Sequence, residues 1–443
     1  MVTQARTIDR DRRHGVAAFI AVLFCLLTSV SIQVHAQALI VLHDFTGGAD
    51  GANPYAGLTM DRGGNLYGTT FAGGFSGGGC TLYPGCGTIF KLSHSQLGWN
   101  LTSLFTFNDP NHQGANPQAR VVFGPDGALY GTASAQGSLG NGNGVVFRLT
   151  PQPTVCSTTR CPWIETVIYS FGDPSLDGSV PGYGDVVFDT ASNLYGTTIE
   201  GGGGVCDDLY TCGAVYELSR SGGSWSETKL FAIVSSNIPG FWPYPGVTLD
   251  NAGDLYGAAT SGDGAVFQLT PNGNTWTSNV LYSFFNGSQG SAPTGGLIFD
   301  AGGNLYGTTN IGGPNNGGTV FELVRSGNQW TLNTLYAFSS TGAGPVGPTS
   351  TLVMDAGGNL YGTTLLEGDF GQGSVFKLTH SNGNWTLTTL HSFTGGADGG
   401  RPWGQVVLAP DGTIYGTATT GGSRTVGSCY LHLGCGVAFA ITP

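Results

Sequence analysis

The 443-residue chain carries 15 Lys+Arg against 27 Asp+Glu, a net charge of −12, and only 9% of it is charged. So acidic and charge-poor a composition excludes a nucleic-acid binder, which needs clustered Lys and Arg. The 77 glycines would suit a disordered chain, but 40% hydrophobic and 11% aromatic residues supply a core, and the glycines fall at turns and loops.

Residues 1–36 read as a secretory signal. Arg6, Arg10, Arg12 and Arg13 make a basic start, Gly15–Val30 is apolar, and Val34-His35-Ala36 is a small-residue cleavage site. The mature chain, 37–443, is read as one domain, and no later segment is apolar enough to span a bilayer. An extracellular or cell-envelope location follows, with the protein expected as a monomer.

The mature chain is a repeat. Asp61–Thr70 (D-R-G-G-N-L-Y-G-T-T) returns with its Leu/Ile-Tyr-Gly core at Tyr67, Tyr130, Tyr195, Tyr256, Tyr306, Tyr361 and Tyr415. In the copy Pro293–Phe338, Gly296–Asp300 and Asn304–Thr309 flank a Gly-rich turn and predict a hairpin. Gly318–Leu323 predicts a third strand and Trp330–Phe338 a fourth. Four antiparallel strands repeated at about fifty residues mark propeller blades. Asp61, Asp189, Asp250, Asp300 and Asp355 recur before the first turn and read as turn makers.

Trp99, Trp163, Trp225, Trp276, Trp330 and Trp385 open six fourth strands, yet there are seven hairpins. The seventh fourth strand is found at the other end, in Ala38–Phe45. The fold class is therefore all-β, a seven-bladed β-propeller of four-stranded antiparallel blades, its ring closed by the N-terminal strand completing the last blade.

A proline precedes each first strand, at Pro54, Pro117, Pro181, Pro245, Pro293, Pro348 and Pro402. Eight cysteines in 37–443 form close pairs, Cys80/Cys86, Cys156/Cys161, Cys206/Cys212 and Cys429/Cys435, and predict local disulfides in an exported chain. Up-and-down blades put the 4–1 and 2–3 loops on one face. That face holds the departures from the repeat: Phe241, Trp242 and Tyr244, then Arg401 and Trp403, and Tyr83, Tyr210 and Tyr430 within Cys-tied loops. Exposed aromatics on a stiffened face suit a sugar or a protein ligand. No metal or cofactor is expected, calcium being a candidate only at Asp50 and Asp398 of the Gly-Gly-Ala-Asp-Gly loops, which lack the loop spacing a hard cation prefers.

The unit F-T-G-G-A-D-G-x-N-P…G-N-L-Y-G-T-T…G-x-V-F-K-L resembles the GloVer tandem repeat of bacterial exported "choice-of-anchor" proteins, over essentially all of 38–443. The resemblance implies an extracellular or surface role and brings no catalytic residues with it. The expected function is a secreted binding or interaction module, its ligand, a glycan or a protein, held on the long-loop face. The alternatives are an extracellular lyase or hydrolase at the central channel mouth, and a structural envelope protein. The chain lacks G-x-S-x-G and H-E-x-x-H, so an enzyme is the less favoured class.

Overall fold

A computed structural model describes residues 38–442, apart from 75–79, 81–84, 108–113, 136–141, 153–162, 174–175, 204, 208–209, 235–237, 286, 342–343, 424–428 and 430–432. The side chains of 205–207, 210–211 and 367 also lie outside the description. Among the described residues there is no helix, and so none long and apolar enough to cross a membrane.

Seven antiparallel sheets follow one another around a ring. The first has the order Thr59–Met60, Leu66–Thr70, Thr88–Ser95, Gly98–Thr106, from the axis outward. The seventh takes Val407–Leu408, Ile414–Ala418 and Val437–Ile441 from the end of the chain and Leu39–Asp44 from its beginning. In that closing pair Leu39 lies opposite Ile441 and Val41 opposite Phe439. The sixth blade differs, with Leu360–Glu367 as a lengthened second strand and Pro345–Pro348 paired beside it.

The Leu-Tyr-Gly core has a packing reason at each position. The leucine is fully buried in every blade that has one. Its tyrosine donates to the turn aspartate, as Tyr67 does to Asp61 Oδ2 at 3.0 Å, while Asp61 Oδ1 accepts from the Gly63 and Asn65 N–H groups. The same set recurs on Asp250, Asp300 and Asp355, and on Asp189 with the Asn193 N–H and the Tyr195 hydroxyl. The turn-making reading of these aspartates therefore holds. The glycine clears space for the third-strand aromatic: a Cβ at Gly68 would stand 2.5 Å from Phe90 Cζ, and one at Gly416 2.5 Å from Phe439 Cζ.

Blades meet through their aromatics. Five outer-strand tryptophans pack edge-on or tilted against the Leu-Tyr-Gly tyrosine of the blade before, as Trp163 does on Tyr67 (6.2 Å) and Trp225 on Tyr130 (6.3 Å), while Trp385 stacks on His380. Across the closure Trp99 meets Tyr415 at 5.6 Å. The buried clusters accordingly straddle neighbouring blades, Phe45, Phe90, Leu92 and Ala438 sharing the one that joins the seventh blade to the first.

A second junction is made by backbone. The residue before the recurring proline has φ near +55° in Asn53, Asn116, Val180, Ala292 and Arg401, and +63° in Trp242. Pre-proline residues normally sit in extended backbone, so this left-handed turn is held by its surroundings. In these six its N–H donates to a carbonyl of the preceding blade, Asn53 to Cys435 at 2.7 Å and Arg401 to Gln372 at 2.7 Å among them. The next residue of that preceding blade is a glycine whose Cβ would strike the proline ring: Gly87 against Pro117, Gly144 against Pro181, Gly213 against Pro243, Gly264 against Pro293, Gly318 against Pro348, Gly373 against Pro402 and Gly436 against Pro54. This corrects the fourth repeat. Pro243, not Pro245, is the equivalent proline, because it is Trp242 that turns and Pro243 that caps Gly213.

Two of the expected disulfides are formed, Cys80–Cys86 with Cα atoms 5.4 Å apart and Cys429–Cys435 at 5.0 Å. Cys212 is also disulfide-bonded. The side chain of Cys206, and all of Cys156 and Cys161, lie outside the described residues.

Gly436 combines φ +87° with a Cβ position 2.5 Å from the Ala418 carbonyl and 2.7 Å from Pro54 Cδ. Gly436→Ala is expected to cost about 2–4 kcal/mol through the left-handed backbone and the overpacking. Gly383→Ala, at φ +81° with nothing within 4 Å, should cost about 1–2 kcal/mol. Denaturant midpoints of the two variants check the difference, and equal midpoints would refute the closure role.

Burial pushes the carboxyls of Glu165 and Glu227, on neighbouring outer strands, up to about 7 from 4.5, and each leaves a buried Oε1 without a partner. A carboxyl raised on folding contributes stability below pH 4.5 that is lost as pH rises through about 7. Asp61, Asp300 and Asp355 are held below the usual carboxylate range: burial pushes them up, but bonds from their turn backbone and Asn side chains outweigh it. Their contribution is present above the ordinary 3.8 and lost as pH falls further. Thermal midpoints are expected to peak between these windows. The Glu165→Gln/Glu227→Gln variant should raise the midpoint at pH 7.5 and leave it unchanged at pH 4; an unaltered profile would count against this account.

Candidate functional site

The residues that follow the recurring proline form the wall of the axis. The first such position holds Tyr55, Gln118, Tyr244, Thr294, Thr349 and Trp403, with Tyr183 one residue further along after Pro181. Two residues on stand Gly57, Arg120, Asp185, Gly246, Gly296, Thr351 and Gln405. Side chains two apart on an extended segment share a face, and nearly all of these residues, drawn from all seven blades, line one cavity. It lies at the end of the axis where the 4–1 loops enter, on the long-loop face.

The wall is two-sided. Tyr55, Tyr183, Tyr244 and Trp403 make an aromatic arc, with ring centroids 5.2 Å apart for Tyr183–Tyr244, 6.4 Å for Tyr183–Trp403 and 6.3 Å for Tyr55–Trp403. Gln118 donates to the Tyr183 hydroxyl at 3.0 Å. Opposite stand the small hydroxyl residues of the fifth and sixth blades. The hydroxyls of Thr294 and Thr349 are buried with no partner among the described residues, although Thr349 is only 4% exposed. Burial, with Glu200 nearby, pushes the Tyr244 phenol up, so it stays a neutral donor at physiological pH.

Deeper in the wall the charges are paired. Arg120 donates through its backbone N–H to Asp185 Oδ1 at 3.0 Å and through Nε to Oδ2 at 2.9 Å. With its amide oxygen turned toward the guanidinium, Gln405 accepts from Arg120 Nη1 at 2.7 Å and Nη2 at 3.2 Å. Arg120 and Gln405 belong to the second and seventh blades. They meet because the first blade has Gly57 between them, where a Cβ would fall 2.4 Å from the Gln405 carbonyl. The cavity encloses about 60 Å³, room for a few waters, where a site for a small molecule takes about 300 Å³ or more. A ligand therefore has to rest on the mouth, against the aromatic arc.

Of the residues expected from sequence, Tyr244 and Trp403 lie in this wall. Phe241 and Trp242 pack beside it, 4.9 Å apart, with Trp242 6.1 Å from Tyr244. Arg401 lines a neighbouring depression together with Tyr55 and Trp403. Tyr83 and Tyr430 lie outside the described residues, and of Tyr210 only the backbone is described, in a short hairpin with Val205–Asp207. The calcium candidates are engaged in turns. Asp50 accepts from His43 Nε2 at 3.0 Å and from the Thr46 N–H and hydroxyl, and Asp398 repeats this with His391 and Thr394. Burial pushes the Asp50 carboxyl up, but the bonds from His43 and Thr46 outweigh it and leave it low. Among the described residues no three His, Cys, Asp or Glu side chains gather in a metal-holding group. Tyr55, Gln118, Arg120, Tyr183, Asp185 and Gln405 were not singled out in the sequence. Their signal was available as the position after the proline, once the fourth repeat is registered on Pro243.

A model of the Gloeobacter/Verrucomicrobia repeat matches residues 28–210, 85–284 and 203–430. A search of curated proteins finds no match. Among solved structures, the extracellular domain of a protein assigned as a one-component system of B. thetaiotaomicron is 11% identical, with a TM-score of 0.50. That match covers 91% of this chain and 40% of the other. A structure assigned as a 6-phosphogluconolactonase of Bacteroides fragilis is 15% identical, with a TM-score of 0.47, over 87% of this chain and 89% of that one. At these identities the likeness concerns the fold.

The Arg120–Asp185 pair is about a quarter exposed, between the surface and buried limits. Arg120→Ala and Asp185→Ala are each expected to cost about 1–3 kcal/mol, with a coupling of about 1–2 kcal/mol in the double variant. A denaturation double-mutant cycle measures it, and additive effects would show the pair to be idle.

Proposed function

The chain belongs to the Gloeobacter/Verrucomicrobia repeat family, and we propose that it is an exported binding module that holds a glycan against the mouth of its axial cavity. The observation that carries this reading is the aromatic arc of Tyr55, Tyr183, Tyr244 and Trp403. In a repeat whose hairpins and junctions are nearly constant, the axial positions after the proline differ from blade to blade. Aromatic faces flanked by amide and hydroxyl groups suit the C–H faces and hydroxyls of a pyranose. The arc is half-buried, so the rings are held in place by their neighbours while part of each faces solvent.

Chemistry at the channel mouth is less well supported. The carboxylate among the cavity-lining residues, Asp185, is bonded to Arg120, and among the described residues no histidine lines the cavity. Export is supported by the disulfides Cys80–Cys86 and Cys429–Cys435, which persist in oxidising compartments.

A glycan array probed with the purified protein should give discrete positives. Trp403→Ala and Tyr244→Ala should each weaken the best of them by roughly tenfold or more, since a stacked ring contributes about 1–2 kcal/mol beyond its neighbours. Circular dichroism should show both variants folded. An array with no positives, or affinities untouched in both variants, would remove the glycan reading; capture of a protein on the same rings would replace it.

A further inference from the structure

Beside the axial cavity a second depression of about 190 Å³ opens where the second strands of the sixth and seventh blades end. Leu365, Leu366, Arg401 and Thr419 line it, and Trp403 and Tyr55 divide it from the axis. The lengthened second strand of the sixth blade builds one wall, with Leu366 paired to Val346 and 44% exposed.

Arg401 is the unusual member. Its backbone is pinned at both ends: the N–H donates to Gln372 at 2.7 Å and the carbonyl accepts from Thr419 at 3.3 Å, with φ at +53°. Its guanidinium makes no hydrogen bond or ion pair among the described residues, and its Nε is buried without a partner. Arg120 is paired with Asp185 at 2.9 Å and Arg148 with Asp126 at 2.6 Å, and among the described arginines Arg401 is the one with a buried side-chain nitrogen left unpartnered. In a chain with 27 acidic residues against 15 basic ones, an unpaired arginine does not reflect a shortage of carboxylates. A guanidinium whose Nε is buried beside Leu365 and Leu366 lacks there the acceptor that would offset that burial.

We propose that this depression is an oxyanion subsite, and that the glycan bound at the arc carries one carboxylate or sulfate per recognised sugar, held by Arg401 while the ring lies on Trp403. The inference rests on the reading of this face as a glycan site. The guanidinium fork matches a carboxylate or sulfate with two parallel bonds, and Leu365 and Leu366 supply the apolar floor for the ring. The net charge of −12 repels a densely charged polyanion, so the subsite suits an isolated charge on an otherwise neutral chain.

Ligand-observed NMR titration of the protein with methyl glucuronide, methyl glucoside 6-sulfate and methyl glucoside tests this. Both or one of the anions should bind about tenfold more tightly than the neutral sugar, as one charge-assisted contact provides. The arm that does so identifies the oxyanion. Arg401→Gln should bring the anions to the neutral level with an unchanged thermal midpoint, and Trp403→Ala should weaken all three. Equal binding of the three sugars, still weakened by Trp403→Ala, would overturn the oxyanion subsite and leave the glycan face standing. A preference that survives in Arg401→Gln, or no binding of any of the three, would overturn the proposal outright.

Discussion

At each blade junction a glycine with positive φ lies under the proline ring of the next blade, and the ring depends on this contact. The glycine cannot carry a side chain, because the proline Cδ occupies that space. The proline in turn removes an N–H that would have no strand partner there. The residue between them turns the chain left-handed and, in six junctions, hands its own N–H back across the gap. Bulky residues such as Val180 and Trp242 tolerate a conformation they would otherwise avoid, because the junction holds them in it. Three of the carbonyls that receive these bonds belong to Cys86, Cys212 and Cys435, each in a disulfide. The cross-links therefore brace the point at which one blade grips the next, including the closure between Cys435 and Asn53.

The same device separates constraint from variation. Once glycine, turning residue and proline are set, the residue that follows, or in the third blade the one after it, is delivered to the axis whatever its side chain. Tyrosine, glutamine, threonine and tryptophan all occur there. The second axial layer shows the same freedom within a closer space: Arg120 spans to Gln405 because Gly57 stands between them. A repeat that would build a sevenfold wall thus builds an asymmetric one, with rings on one side and hydroxyls on the other.

Most of the architecture was legible because its causes are local. A tyrosine bonded to a turn aspartate in six blades and a glycine crossed by an aromatic ring in all seven leave nearly the same short motif throughout, and counting strands placed Leu39–Asp44 in the last sheet. The wall was less legible for two reasons. Pro245 stood in for Pro243 in the fourth repeat, which moved Tyr244 out of line with Tyr55 and Trp403. The left-handed turn before each proline also runs against the usual preference, so the junction had no signature in composition. The Arg401 depression was hidden for a different reason, since its lining comes from three blades that only closure brings together. In the Asp50 and Asp398 loops, a carboxylate within a Gly-rich run accepts turn bonds from His43, His391 and neighbouring threonines, partners that the run alone did not announce.

The closing pair sets Leu39 opposite Ile441, at the end of the third strand where the short turns lie. Both Ala38 and Thr442 thus sit on the rim remote from the indole of Trp403. Under the proposed glycan reading, a long polymer can meet the mouth without crossing Leu39 or Ile441, and that reading extends to the middle of a chain as well as to its tip.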